Sequence, residues 1–262
     1  MTMGLHKGDI IDIELVDLAN GGDAVGRYEG LAVFIPGGIP GELVKVRIVE
    51  KKKNYARGEI VEILRAARER IKPDCPVFGA CGGCQLQHIA YENQLEYKRK
   101  MVKDLLERIG KLEDAEVEPV FPAAHPFLYR NKAQFPLAKD RDGKIIAGFY
   151  ERGSHEIVPL ESCLIQHPLI NRTMKITLEI LNDYPDLTVY NEIEHKGLLR
   201  HLVIRAGICT NQVLLILVTS GEELPHAEEV AERVMREMPE IVGVLQNINP
   251  ERTNVILGQE TR

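Results

Sequence analysis

The chain has 262 residues and a formal net charge of −6, which is long enough for two ordinary domains but gives no global positive field of the kind that advertises a nucleic-acid binder. It contains no run of eighteen apolar residues, and Met1 to Asp9 lacks the apolar core of a signal peptide, so the reading is a cytoplasmic protein without a membrane span. Five cysteines in such a chain argue against a disulfide framework and leave metal ligation or catalysis as the question.

Asp9 to Leu18 alternates Ile11, Ile13 and Leu15 with Asp12 and Glu14, the period of a half-buried strand. Gly21, Gly22 and Gly26 punctuate the next segment. Leu31 to Ile35 is a short apolar run, and Pro36 to Gly41 reads as a turn. Glu42 to Glu50 and Arg57 to Leu64 are two further strands, with Val44, Val46, Ile48, Ile60 and Ile63 assigned to the core. Short strands joined by glycine-rich turns over about 65 residues predict a small β-barrel of OB-like kind.

Between the last two strands, Lys51, Lys52, Lys53 and Arg57 surround Tyr55, the densest basic patch in the chain. Charge runs often only keep a loop soluble. The sharper reading is a phosphate contact with a ring for base stacking, although aromatics make up only 5% of the residues and tryptophan is absent.

Asp74 to His88 gathers Cys75, Cys81 and Cys84 in a C-x5-C-x2-C pattern, and Cys163 lies far downstream. Four thiolates suit a tetrahedral zinc or an iron-sulfur cube, and spacing alone leaves that choice open. His88 keeps a zinc site of three cysteines and one histidine open as well. The C-x3-C-x2-C pattern of radical initiators is not matched. Gly82 and Gly83 would let backbone amides approach a cluster sulfur. Cys209, at a strand end without a nominated base, reads as structural.

Tyr91, Leu95, Val102, Leu105, Leu106 and Ile109 recur at helical spacing, with Gly110 placed to end the helix. Tyr129 to Lys139, Ile145 to Glu151 and Glu156 to Leu160 read as a meander. A helix over 168–181, a hairpin over 199–219, a helix over 225–238 and a strand over 241–248 come next. The predicted class is α+β with mainly antiparallel pairing, arranged as a barrel over 1–66 and an α+β domain over 67–262 that carries the cysteine loop.

The ordered set of the barrel, C-x5-C-G-G-C-x-L-Q-H, the downstream Glu161-Ser162-Cys163, Leu128-Tyr129-Arg130-Asn131-Lys132, Gln246-Asn247-Ile248-Asn249 and Thr253-Asn254-Val255-Ile256-Leu257-Gly258 resembles the RNA (uracil-5-)-methyltransferases of the RumA type. Those enzymes act on 23S ribosomal RNA, with close relatives acting on transfer RNA. The resemblance runs over essentially the whole chain. It implies that the barrel is a TRAM domain and that Cys75, Cys81, Cys84 and Cys163 hold a [4Fe-4S] cluster.

It also implies S-adenosylmethionine as methyl donor. In the family a cysteine thiolate adds to C6 of uracil so that C5 can take the methyl, and a base then removes the C5 proton. The family places thiolate, base and donor site in a Rossmann-like domain. Since the sequence stops at Gln259 to Arg262 with no glycine-rich donor turn and no nominated nucleophile, the expectation is a chain that lacks that domain and is inactive alone. Its helix over 91–110 is then expected to pack on the missing domain and to leave an apolar stripe uncovered.

RNA is the expected partner, ribosomal RNA first, with no membrane and the protein as a monomer. Lys51, Lys52, Lys53, Tyr55 and Arg57 in the barrel, Arg130, Asn131 and Lys132 before the meander, and Arg200, His201 and Arg205 on the second hairpin are the expected contacts. A metal-containing RNA-binding module without catalysis, and a transfer-RNA enzyme of the same type, are the alternatives.

Overall fold

The computed structural model describes residues 4–262, which form two compact units. One runs to Gly79 and resumes over Cys84–Ala124; the other comprises Ala80–Gly83 and His125–Arg262. Among the described residues no helix is long and apolar enough to cross a membrane.

The first unit is built on β1 (Ile10–Leu18), β2 (Ala24–Tyr28), β3 (Leu31–Ile35), β4 (Leu43–Lys51) and β5 (Tyr55–Arg65), which close into a barrel in the order β1-β2-β3-β5-β4. Neighbours pair antiparallel except β3 and β5, which run parallel. Closure leaves no open edge. The alternation in β1 turns Ile11, Ile13 and Leu15 inward, where they meet Val33, Ile35, Val44, Val46 and Ile48. Of the two isoleucines expected here from β5, Ile60 packs half-buried against this core and Ile63 is exposed. The register between β4 and β5 shifts at three places, and each shift breaks the inward and outward alternation on which that assignment rested.

Glu42 anchors the chain leaving the barrel. Its carboxylate has no exposed surface and accepts from the amides of Ile39 and Ala67 and from the Arg70 guanidinium. Helix α1 (Tyr91–Arg108) comes after it and has no buried residue. Tyr97 packs on the barrel core and donates to Glu69, and Lys100 pairs with Asp17. Of the expected apolar stripe, Val102, Leu105 and Ile109 are exposed, while Tyr91, Leu95 and Leu106 are half-buried.

The second unit is a seven-stranded sheet in the order β12-β11-β10-β9-β6-β7-β8. Its strands are β6 (Lys132–Lys139), β7 (Ile145–Tyr150), β8 (Ile157–Pro159), β9 (Leu199–Gly207), β10 (Gln212–Thr219), β11 (Ile241–Ile248) and β12 (Glu260–Thr261). Helices α2 (Pro168–Leu181) and α3 (Ala227–Glu237) pack on it and on each other. Proline at the first turn and the His167 ring accepting from the Leu169 amide start α2, which buries Ile170, Met174, Ile180 and Leu181.

The pairing in this sheet is mainly antiparallel, as expected, with one exception. β10 and β11 pair parallel through α3, a βαβ crossover of the kind from which Rossmann-like folds are built. A parallel pair needs a connection long enough to recross the sheet, and Ser220–Glu240 supplies it with a helix. The second unit is therefore a mixed sheet with a single parallel pair.

The Gln246-Asn247-Ile248-Asn249 segment fastens the returning chain. The Asn247 side-chain amide donates to the Gly258 and Glu260 carbonyls and its oxygen accepts from the Gly258 amide, while Asn249 donates to the Val255 and Ile256 carbonyls. A Cβ at Gly258 would lie 1.8 Å from the Ile248 carbonyl oxygen, so only glycine fits that approach.

Candidate functional site

The barrel hairpin between β4 and β5 exposes Lys51, Lys52, Lys53 and Arg57. Lys52 lies 2.8 Å from Glu50, and Arg57 lies 3.5 Å from Asp23 and 3.6 Å from Glu50. The hydrogen bond to Lys52 holds the Glu50 carboxyl below its ordinary value. Lys51 and Lys53 have no carboxylate partner among the described residues. Tyr55 is half-buried, its ring edge-on to Phe34 at 5.8 Å. The loop thus offers two uncompensated cations and two paired ones beside an anchored ring.

A second cationic strip lies in the sheet unit. Backbone bonds from Arg130 to Ile165 and from His167 to Arg130 fix the approach to β6. Lys132 stands opposite Arg205 in the β6–β9 register, and both are exposed beside exposed Asn131. Arg200 and His201 are different. They are only 5% and 7% exposed, and Arg200 Nη1 donates to the carbonyls of Asn249 and Glu251. They are not the surface charges that the sequence suggested, because six successive residues from Leu199 to Ile204 are buried.

Instead both line a cavity of about 630 Å³ together with Tyr150, His155, Tyr190 and Glu192. The Glu192 carboxylate takes the Tyr150 hydroxyl at 3.2 Å and His155 Nδ1 at 2.8 Å. Burial opposes its ionisation, but those two bonds outweigh it and hold its carboxyl below the ordinary value. Burial, with Glu192 beside it, pushes the Tyr150 hydroxyl up to about 12. Burial also brings His201 down to about 4, so its ring is neutral near pH 7. Sequence did not nominate Tyr150, His155, Tyr190 or Glu192, which come from a strand end, a turn and a distant loop with no motif in common.

The four expected cluster ligands are half-buried. Cys75 and Cys84 belong to the first unit, and Cys81 and Cys163 to the second. Gly83 donates its amide to Cys81 Sγ at 3.4 Å, and Asn171 clamps the Cys163 backbone, accepting from its amide and donating to its carbonyl. Among the described residues no group of three or more His, Cys, Asp or Glu is arranged to hold a metal ion. His88 is buried with Nε2 3.3 Å from the Gly38 carbonyl oxygen, and burial lowers its basicity, so it serves the barrel turn. Cys209 lies exposed in the β9–β10 turn.

Residues 5–61 match the TRAM domain model, and that span begins just before the closed barrel and ends within its last strand. Over 258 residues the chain is 41% identical to an uncharacterised RNA methyltransferase of Halalkalibacterium halodurans, covering 98% of this chain and 56% of that protein. The chain is a TRAM-bearing relative of RNA methyltransferases. An uncharacterised RNA methyltransferase of Nostoc sp. is 42% identical over 257 residues, again covering 98% of this chain and 56% of its own length. The chain therefore spans about half the length of the curated relatives it matches. In fold it is similar to the Pyrococcus abyssi tRNA (uracil-54, C5)-methyltransferase crystallised with S-adenosyl-L-homocysteine, with a TM-score of 0.67, 23% identity, and coverage of 95% of this chain and 55% of that one.

These likenesses correct two further expectations. Similarity to methyltransferases extends over 98% of the chain in sequence and 95% in fold, so the described residues as a whole belong to a methyltransferase-type fold. The expectation of an inactive chain without its catalytic domain rested on where the sequence stops, and it is set aside: the match shows relatedness to RNA methyltransferases through the whole chain, over about half of each relative's length.

Proposed function

We propose that this chain acts in the methylation of RNA at C5 of uracil, with S-adenosylmethionine as methyl donor. The observation that carries the reading is the coincidence of the TRAM segment with a closed barrel that presents Lys51 and Lys53 without carboxylate partners among the described residues, in a chain similar throughout to RNA methyltransferases. The barrel of residues 1–66 takes the RNA backbone, its cations displacing counterions from phosphates. Arg130, Lys132 and Arg205 neutralise further phosphates, and exposed Asn131 reads a base edge in an unpaired loop. The substrate in this reading is 23S ribosomal RNA.

Cys75, Cys81, Cys84 and Cys163 are proposed as [4Fe-4S] ligands on their donor chemistry, on their half-buried placement and on the amide directed at Cys81 Sγ. The described geometry gathers no three donors, so no step of the reaction is routed through a cluster. The role left to it is to hold loops in place.

The test is transfer of tritiated methyl from S-adenosylmethionine to 23S ribosomal RNA and to bulk transfer RNA, with digestion of the product to nucleosides. Label in 5-methyluridine from ribosomal RNA is the expected result. Label only in transfer RNA selects the alternative substrate, and label in another nucleoside overturns the uracil assignment.

A further inference from the structure

The cavity around Glu192 belongs to neither of the cationic surfaces. Its walls include the phenol rings of Tyr150 and Tyr190 and the imidazole of His155, among aliphatic side chains such as Leu137, Ile157 and Val189. Tyr150 and His155 lie with ring centroids 5.2 Å apart, and the Arg200 guanidinium sits 4.5 Å over the Tyr190 ring. The wall also carries Asn191, Glu192, Arg200 and His201. Glu192 is an anion held by two donors, and each of its oxygens keeps a further lone pair for a ligand. The neighbouring His201 ring is buried, and its Nδ1 has no partner among the described residues. Lys139 lines the same cavity.

Rings that offer a face favour a flat, unsaturated ligand, and the Glu192 carboxylate beside them takes N–H donors. Among the RNA bases, guanine alone presents two adjacent N–H donors on its Watson–Crick edge, N1–H and the 2-amino group. We propose that this cavity is a docking pocket for an unpaired guanine of the RNA, stacked on a tyrosine ring and paired with the Glu192 carboxylate, with Lys139 available to its phosphate. The proposal rests on the reading of the chain as an RNA-binding protein, and it names a base-selective site apart from the barrel.

Fluorescence anisotropy of the intact chain with labelled UUGUU, UUUUU and the inosine version of the first oligonucleotide tests it. The guanine oligonucleotide is expected to bind about fivefold tighter than the all-uridine one or better, as one bidentate base contact implies. Inosine, which lacks the 2-amino group, should fall between them. Glu192→Gln should abolish the preference. Tyr150→Phe, which removes one donor that orients Glu192 but keeps the ring, should weaken the preference, and it provides the second variant if Glu192→Gln does not fold. Binding of all three oligonucleotides with equal affinity, or a preference that survives Glu192→Gln, overturns the pocket alone. Failure to bind any RNA overturns the pocket and the RNA reading together.

Discussion

Lys132 on β6 and Arg205 on β9 occupy opposite register positions in the sheet, both exposed, and among the described residues neither has a carboxylate partner. Like charges set opposite each other destabilise a sheet, so this pair is a local cost that a bound phosphate would reverse. Replacing both by alanine should weaken RNA binding uniformly across sequences and reduce the slope of log affinity against log salt by about one for each phosphate no longer neutralised. Anisotropy titrations at several salt concentrations measure it, and an unchanged slope would remove the sheet surface from the interface.

Glu42 and Arg70 form the ion pair on which the exit from the barrel depends. The carboxylate is fully covered, and Arg70 Nη2 donates to it at 2.7 Å. Burial by itself would raise the Glu42 carboxyl; the Arg70 and backbone bonds reverse that and hold it below its ordinary value. Arg70→Met should leave an uncompensated buried charge and cost about 3 kcal/mol in denaturant unfolding. Because the folded value is depressed, this stabilisation is complete above the unfolded value of about 4.3 and is lost as the pH falls through the folded one.

His201 gives a second pH effect with a different window. Its folded value of about 4 lies below its ordinary 6.5, chiefly through burial and then through Arg200, with Glu192 opposing. Between about 6.5 and about 4 the unfolded chain takes up a proton that the folded chain refuses, so stability falls as the pH falls across that range. The loss attributable to this group is roughly 2 to 3 kcal/mol. Thermal melts at pH 7.5 and pH 5 should show a smaller drop for His201→Gln than for the unaltered chain. Equal drops would mean the ring is not held neutral.

For the cysteines, anaerobic purification should give a brown protein with iron and acid-labile sulfide in equal amounts, about four of each per chain if the cluster is complete. Cys163→Ser should lower the iron content. A colourless protein carrying zinc would contradict the cluster and restore the choice that spacing alone left open.

Much of the first unit was legible because its strands are short and half-buried. The alternation of Ile11, Ile13 and Leu15 marks a strand with one wet face, and the barrel keeps that face wet. The same reasoning failed in part in β5, where register shifts accompany an exposed Ile63 while Ile60 still packs half-buried against the core. It failed again in β9, which is covered on both faces from Leu199 to Ile204, so Arg200 and His201 could not be told from surface charges. The parallel β10–β11 pairing was missed because strand pattern does not encode direction; the helix between them is the only local sign. The cavity was illegible for a plainer reason: Tyr150, His155, Tyr190 and Glu192 meet only after the sheet has formed.

The central claim is that the barrel and the sheet surface bind RNA through phosphates. Its most direct measurement is the affinity of the chain for a labelled 23S ribosomal RNA fragment as a function of salt, beside the Lys51→Ala, Lys52→Ala, Lys53→Ala triple variant. The account predicts affinity that falls steeply with salt in the unaltered chain, and a weaker, flatter dependence in the variant. Identical affinities and slopes for the two proteins would contradict it.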